Sequence, residues 1–160
     1  MTKVAIVGPE ESKWTPELKV KAIKEIELIL EHYNYPVLIS GHCPKGGVDI
    51  WSEIIASEIG IKKEIFPPEI EQWNDKKSFC EVCDGYVTYK GYKSRNIQIT
   101  KACDVLYCIT PWCCLGTIVE DDKWAYCKHC ETTGHVSSGG CWTMKYAKKL
   151  GKETHLIVIQ

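Results

Sequence analysis

The run Val37-Leu38-Ile39-Ser40-Gly41 breaks into His42-Cys43-Pro44-Lys45-Gly46-Gly47-Val48-Asp49, after which Trp51, Ile55 and Ile59 recur at helical spacing as far as Gly60. A short apolar run that ends in a glycine loop and opens an amphipathic helix is the strand–loop–helix unit of a parallel sheet. Glycine lets backbone N–H groups approach a ligand, and a helix N-terminus adds unpaired donors and roughly half a positive charge. A second loop of this kind, Ser137-Ser138-Gly139-Gly140-Cys141-Trp142-Thr143, leads into Met144 to Leu150. Two such loops suggest a ligand with more than one polar end, and a nucleotide fits.

Working outward, Val4 to Val7 reads as a buried strand ending at Gly8-Pro9, and Thr15 caps a helix with Pro16 at its first position. Leu18, Ala22, Ile26, Ile29 and Tyr33 keep the helical period. Glu64 to Phe66 is a third strand closed by Pro67-Pro68, Lys93 to Cys103 a helix, Val105 to Ile109 a fourth strand. Cys141 to Leu150 is a helix stopped by Gly151, and His155 to Ile159 the last strand. Two stretches, about 70–90 and 111–138, have no clear period, although Thr117 to Tyr126 has the make-up of a short helix. The alternation predicts one α/β domain over 1–160, a Rossmann-like doubly wound parallel sheet in three layers, with the two irregular stretches as a small insertion. Ligands of such folds bind beyond the carboxyl ends of the strands, where both glycine loops lie. The fingerprint G-x-G-x-x-G is absent, so this is not a standard NAD-binding unit.

With 160 residues, 44% hydrophobic and 26% charged, the chain has the make-up of an ordinary globular protein. A net charge of −1 gives no general attraction to nucleic acid or anionic membrane. No apolar run approaches the roughly 20 residues of a membrane span, and the expectation is a soluble cytoplasmic protein. Arg95 is the only arginine.

Cysteine is unusually abundant, at 10. In a reducing cytosol these thiols stay free or bind metal, hyperthermophile cytosols being the exception that the Lys, Glu and Ile bias leaves open. Cys80-Glu81-Val82-Cys83 and Cys127-Lys128-His129-Cys130 form two C-x-x-C pairs. Each spacing lets two thiolates reach one ion from a tight turn, and four thiolates complete a tetrahedral zinc shell. The expected site is therefore Cys80, Cys83, Cys127 and Cys130 around one zinc that clips the two insertions together, with Cys113, Cys114, His129 and His135 in reserve. A redox role is disfavoured because neither pair sits in a thioredoxin-like strand-to-helix context, and an iron–sulfur cluster lacks its usual cysteine run. Cys43, Cys103 and Cys108 read as small buried residues, with Cys43 open to a second reading as a reactive thiol.

The order of motifs resembles the SLOG superfamily. Ser40 to Asp49 is similar to its "G-G-A-x-G-[AV]-D" segment, and Phe66-Pro67-Pro68 with Gly91-Tyr92-Lys93-Ser94-Arg95-Asn96 to the "F-P-x…G-x-x-R-N" stretch of its YspA-like branch. Ala102-Cys103-Asp104-Val105 looks like that branch's "A-D-x-[VI]". Gly139 to Thr143, with Ala147 and Gly151-Lys152, resembles "G-G-x-G-T-x-x-x-x-A-x-x-x-G-[KI]". The resemblance covers the chain outside the two cysteine-bearing stretches. It implies a nucleotide or ribose-phosphate ligand, sensed or processed. Carried over by motif, Gly46, Gly47, Gly140 and Thr143 hold phosphate, and Asp49 shapes the loop or contacts the ligand. Arg95 grips phosphate or ribose at a helix start, and Asn96 orients it or reads the base. Gly8, Ser40, Gly41 and Gly139 complete the candidate ligand contacts. Trp142 replaces a common glycine and either crowds the pocket or offers a stacking surface.

Two further readings follow from relatives in that superfamily. LOG-type phosphoribohydrolases cleave an N-glycosidic bond with an arginine and a loop glutamate, and Gly116-Thr117-Ile118-Val119-Glu120 matches that loop imperfectly. The enzyme reading takes Arg95 and Glu120 as its catalytic pair. A DprA-like binder of single-stranded DNA is the third reading, opposed by the balanced charge. Relatives often pair up, which makes a homodimer an expectation of the resemblance.

Overall fold

The computed structural model describes residues 1–113 and 126–160. Five strands, β1 (Lys3–Val7), β2 (Val37–Ser40), β3 (Lys62–Ile65), β6 (Val105–Pro111) and β9 (Glu153–Ile159), form one all-parallel sheet in the order β3-β2-β1-β6-β9. Strand order runs outward from β1 to β3 on one side and from β6 to β9 on the other. The winding therefore reverses between β1 and β6, which is where open α/β sheets leave a crevice.

Alternate residues of the strands supply two cores. Val4, Ile6, Leu38, Val105 and Ile109 pack with helices α1 (Pro16–His32) and α2 (Val48–Ile59) on one face. Ala5, Val7, Val37, Ile39, Leu106 and Cys108 pack beneath α3 (Tyr92–Ala102) and α4 (Gly139–Lys149) on the other. Burial of both faces explains why these strands read as continuous apolar runs. The helix ends follow the sequence signals: Thr15 Oγ1 accepts the Leu18 amide with Pro16 at the first position, and Gly60 ends α2 at φ +77°.

The stretch read as irregular from about 70 to 90 contains an antiparallel hairpin, β4 (Lys76–Cys80) and β5 (Gly85–Tyr89). Its base is tied to the start of α3 by Asp75, which accepts the Gly91 amide at 2.9 Å and the Ser94 hydroxyl at 2.7 Å. A second small hairpin, β7 (Tyr126–Cys127) with β8 (Thr132–Thr133), follows β6. The short helix expected over Thr117 to Tyr126 lies outside the described residues, except that Tyr126 opens β7. No helix among the described residues is long and apolar enough to cross a membrane. Replacing Thr15 with alanine removes the α1 cap and is expected to lower the unfolding free energy by about 1 kcal/mol in urea titrations.

Candidate functional site

The crevice between β1 and β6 opens into a cleft of about 290 Å³, near the lower limit of small-molecule sites. Two glycines make it possible. A Cβ on Gly8, just after β1, would strike the Ile109 carbonyl oxygen of β6, and a Cβ on Gly140 would lie 3.0 Å from Gly8 Cα. The first turn of α4 is thus seated directly on the exit of β1. Around this contact stand the β1 exit (Pro9, Glu10), Asp49 at the start of α2, and Tyr92, Arg95 and Asn96 at the start of α3. The α4 lip contributes Ser137 to Gly140 and Thr143.

Arg95 is 6% exposed. Its Nη1 donates to the Gly41 carbonyl, its Nε donates to Asn96 Oδ1 at 2.8 Å, and the guanidinium lies 5.5 Å above the Tyr92 ring. Gly41 is glycine for this reason: a Cβ there would come within 2.5 Å of Arg95 Nη1. No hydrogen bond from Nη2 is present among the described residues, and Arg95 lines the cleft. Nearby, Asp49 is buried and accepts the Cys43 amide at 3.2 Å. Burial pushes its carboxyl up to about 6, against the opposing pull of the Arg95 charge and the Cys43 amide. Behind it, Glu53 receives His42 Nδ1 at 2.8 Å, while its second oxygen is buried without a partner. Cys43 reaches the cleft, and burial raises its thiol pKa, the direction opposite to that of an activated thiol.

The first glycine loop departs from the expectation that it cradles phosphate. Gly46 and Gly47 do take positive φ, +80° and +88°. However, the Gly46 amide donates to Cys43 O at 3.0 Å, and Val48 N donates to Pro9 O at 3.4 Å. A Cβ on Gly47 would strike the Pro9 carbonyl oxygen. Gly47 therefore docks the loop against the β1 exit, the Gly46 amide is bonded within the loop, and neither glycine lines the cleft. Ser40 and Gly41 also sit behind the cleft wall, Ser40 donating to Asp49 O and Gly41 holding Arg95. The second loop does face the cleft. Ser138 Oγ accepts the Gly140 amide at 3.2 Å, and Thr143 Oγ1 donates to Gly139 O at 2.8 Å. The Gly139 amide, the α4 dipole and the Asn96 side chain beside Gly139 are what remain for an anion. Lys45 also lines the cleft, paired with Glu10 at 3.9 Å. Trp142 packs edge-on to Trp73 at 5.0 Å and stacks on Tyr146 at 5.4 Å, so it backs the aromatic wall that Trp73 presents. Glu120 lies outside the described residues.

Against the same turn of α4, on its other flank, Cys127, Cys130, His135 and Cys141 bring their ligand atoms within 4.8 Å of one another. This group could hold a metal ion. His135 is 1% exposed, and neither of its ring nitrogens has a hydrogen-bond partner among the described residues. An imidazole buried that way costs roughly 1–3 kcal/mol for each unmade bond, and an ion bound to one nitrogen offsets much of it. Cys141 is third in α4, where the helix dipole favours a thiolate. Hydrogen bonds from the Cys108 and Cys130 thiols also hold its pKa far below the ordinary range, while those two thiols are pushed up.

The structure thus joins Cys127 and Cys130 as expected, adds the reserve ligand His135, and supplies Cys141, which the sequence marks only as part of a helix. It leaves Cys80 and Cys83 apart from this cluster, at the exposed turn of the β4–β5 hairpin. The spacing C-x2-C-x4-H-x5-C from Cys127 to Cys141 is compact and is the signal that could have found the set. Compared with protein-family models, curated proteins and solved structures, the chain matches none.

Two outcomes follow from this geometry. Cys141→Ser is expected to lose one bound metal per chain and about 10 °C of thermal midpoint, read by metal analysis and calorimetry. Asp49 titrates higher folded than unfolded, so its contribution is full below its unfolded pKa of 3.8 and is lost as pH rises through about 6. Relative to Asp49→Asn, the wild type is therefore expected to gain on the order of 3 kcal/mol between pH 7 and pH 4 in denaturation measurements.

Proposed function

We propose that the cleft binds a nucleotide or a ribose-phosphate derivative, to sense or to process it, and that the cluster of three cysteines and one histidine holds structural zinc. The observation that carries the first part is the buried Arg95, fixed by Gly41 and Asn96 and lining the cleft beside the α4 N-terminus. A planar guanidinium, together with the Gly139 amide and the dipole of α4, is complementary to a phosphate dianion. Trp73 and Tyr92 offer aromatic surface to a base, and Glu10 offers an acceptor to ribose hydroxyls. The location at the winding reversal of a parallel sheet supports the same reading. Zinc suits the cluster because three thiolates and one imidazole make a closed tetrahedral shell. Such a thiolate centre survives best in a reducing compartment, which favours the cytoplasm.

A thermal-shift screen of nucleoside mono- and diphosphates on the zinc-loaded protein tests the reading. At a hundred times its dissociation constant, the ligand is expected to stabilise the wild type by about 2.7 kcal/mol and Arg95→Ala by none of this. Chromatography of the same mixtures reports whether free base is released. If no nucleotide moves the wild-type midpoint, the proposal fails.

A further inference from the structure

The two C-x-x-C turns are backbone copies of one another. In each, the first cysteine ends a strand, Cys80 on β4 and Cys127 on β7, and pairs across the hairpin with the residue five positions on, Gly85 or Thr132. In each, the residue after the second cysteine takes positive φ, +49° at Asp84 and +55° at Glu131. The copy at Cys127 and Cys130 supplies half of a four-ligand cluster. The copy at Cys80 and Cys83 stands at the end of the β4–β5 hairpin, with Cys83 exposed. Among the described residues, however, no third His, Cys, Asp or Glu gathers there.

We propose that Cys80 and Cys83 are one half of a second zinc site, completed by the same two cysteines of a second copy of this chain. A structural zinc takes four ligands, and a turn offering two becomes a closed four-thiolate shell when a two-fold axis doubles it. The surroundings suit such a partner. Val82 at the turn is 96% exposed, and Phe79 and Tyr86, which face each other across the strands at 5.5 Å, are 52% and 77% exposed. Among the described residues, this apolar tip has no partner beyond its own hairpin, and a second tip meeting it would cover both. The hairpin is held firmly enough to present it, because Asp75 pins its base to α3. The inference is independent of what the cleft binds.

The test is the mass and metal content of the full chain purified with zinc, by light scattering and elemental analysis. A dimer with about 1.5 zinc ions per chain is expected, one in each three-cysteine, one-histidine cluster and one shared. The double variant C80S/C83S is expected to be a monomer with about one zinc per chain. Its circular dichroism spectrum should match that of the wild type, with C83S alone as the milder control. A wild-type monomer overturns the proposal. So does a dimer that survives in C80S/C83S, or a second zinc bound within a monomer.

Discussion

The carboxyl edge of this protein depends on where the first turn of α4 is wedged. Gly140 rests on Gly8 so closely that a Cβ would not fit between them, and α4 begins directly on the exit of β1. The next residue, Cys141, belongs to the cluster that could hold a metal ion, while Gly139 and Thr143 border the cleft. One helix end thus faces two sites. Its dipole favours a thiolate on one flank and an anion on the other. The loop between His135 and Cys141, which includes Ser137 and Ser138, is closed at both ends by cluster residues. Cys127 Sγ lies 3.2 Å from Ser137 Oγ, a further tie between the cluster and the cleft wall. An ion in the cluster would therefore brace the wall of the proposed ligand site without touching the ligand.

Electrostatics on the opposite wall are finely balanced. Arg95 brings a permanent charge into a buried position, and its hydrogen bonds to Gly41 and Asn96 make that position tolerable. Asp49 is the nearest buried countercharge, and burial leaves its carboxyl close to neutral under mildly acid conditions. In the proposed complex, a phosphate would supply the compensation that Asp49 gives incompletely. Lysine would not serve here, since a single ammonium cannot hold two fixed partners and still present an in-plane edge.

Much of this is legible in the sequence. Apolar runs alternating with periodic helices specify the parallel sheet, and Thr15-Pro16 and Gly60 mark helix ends where the structure has them. The β4–β5 hairpin escapes such a reading because its strands are largely exposed, so no apolar alternation announces them. Asp84-Gly85 beside Tyr86-Val87-Thr88-Tyr89 is the available signal. Gly46 and Gly47 stand out correctly as backbone specials, but sequence carries no sign of which way a glycine loop turns its amides. The Gly46 amide is bonded within its own loop, and neither glycine lines the cleft. The metal set is half legible: pairing like with like joins the two C-x-x-C turns, whereas space joins one of them to His135 and Cys141. Those two residues belong by local pattern to a loop and a helix, and a cluster drawn from three elements has no local signature beyond its spacing.

The central claim is that the metal cluster holds the α4 lip in place for the cleft. Amide hydrogen exchange over Ser138 to Gly140, in nucleotide-free protein before and after chelation, tests it most directly. The account expects exchange there to speed up at least about tenfold on chelation, as local opening becomes easier, while the amides of β1 keep their protection. Unchanged exchange at Gly139 and Gly140 after complete removal of the metal would contradict it.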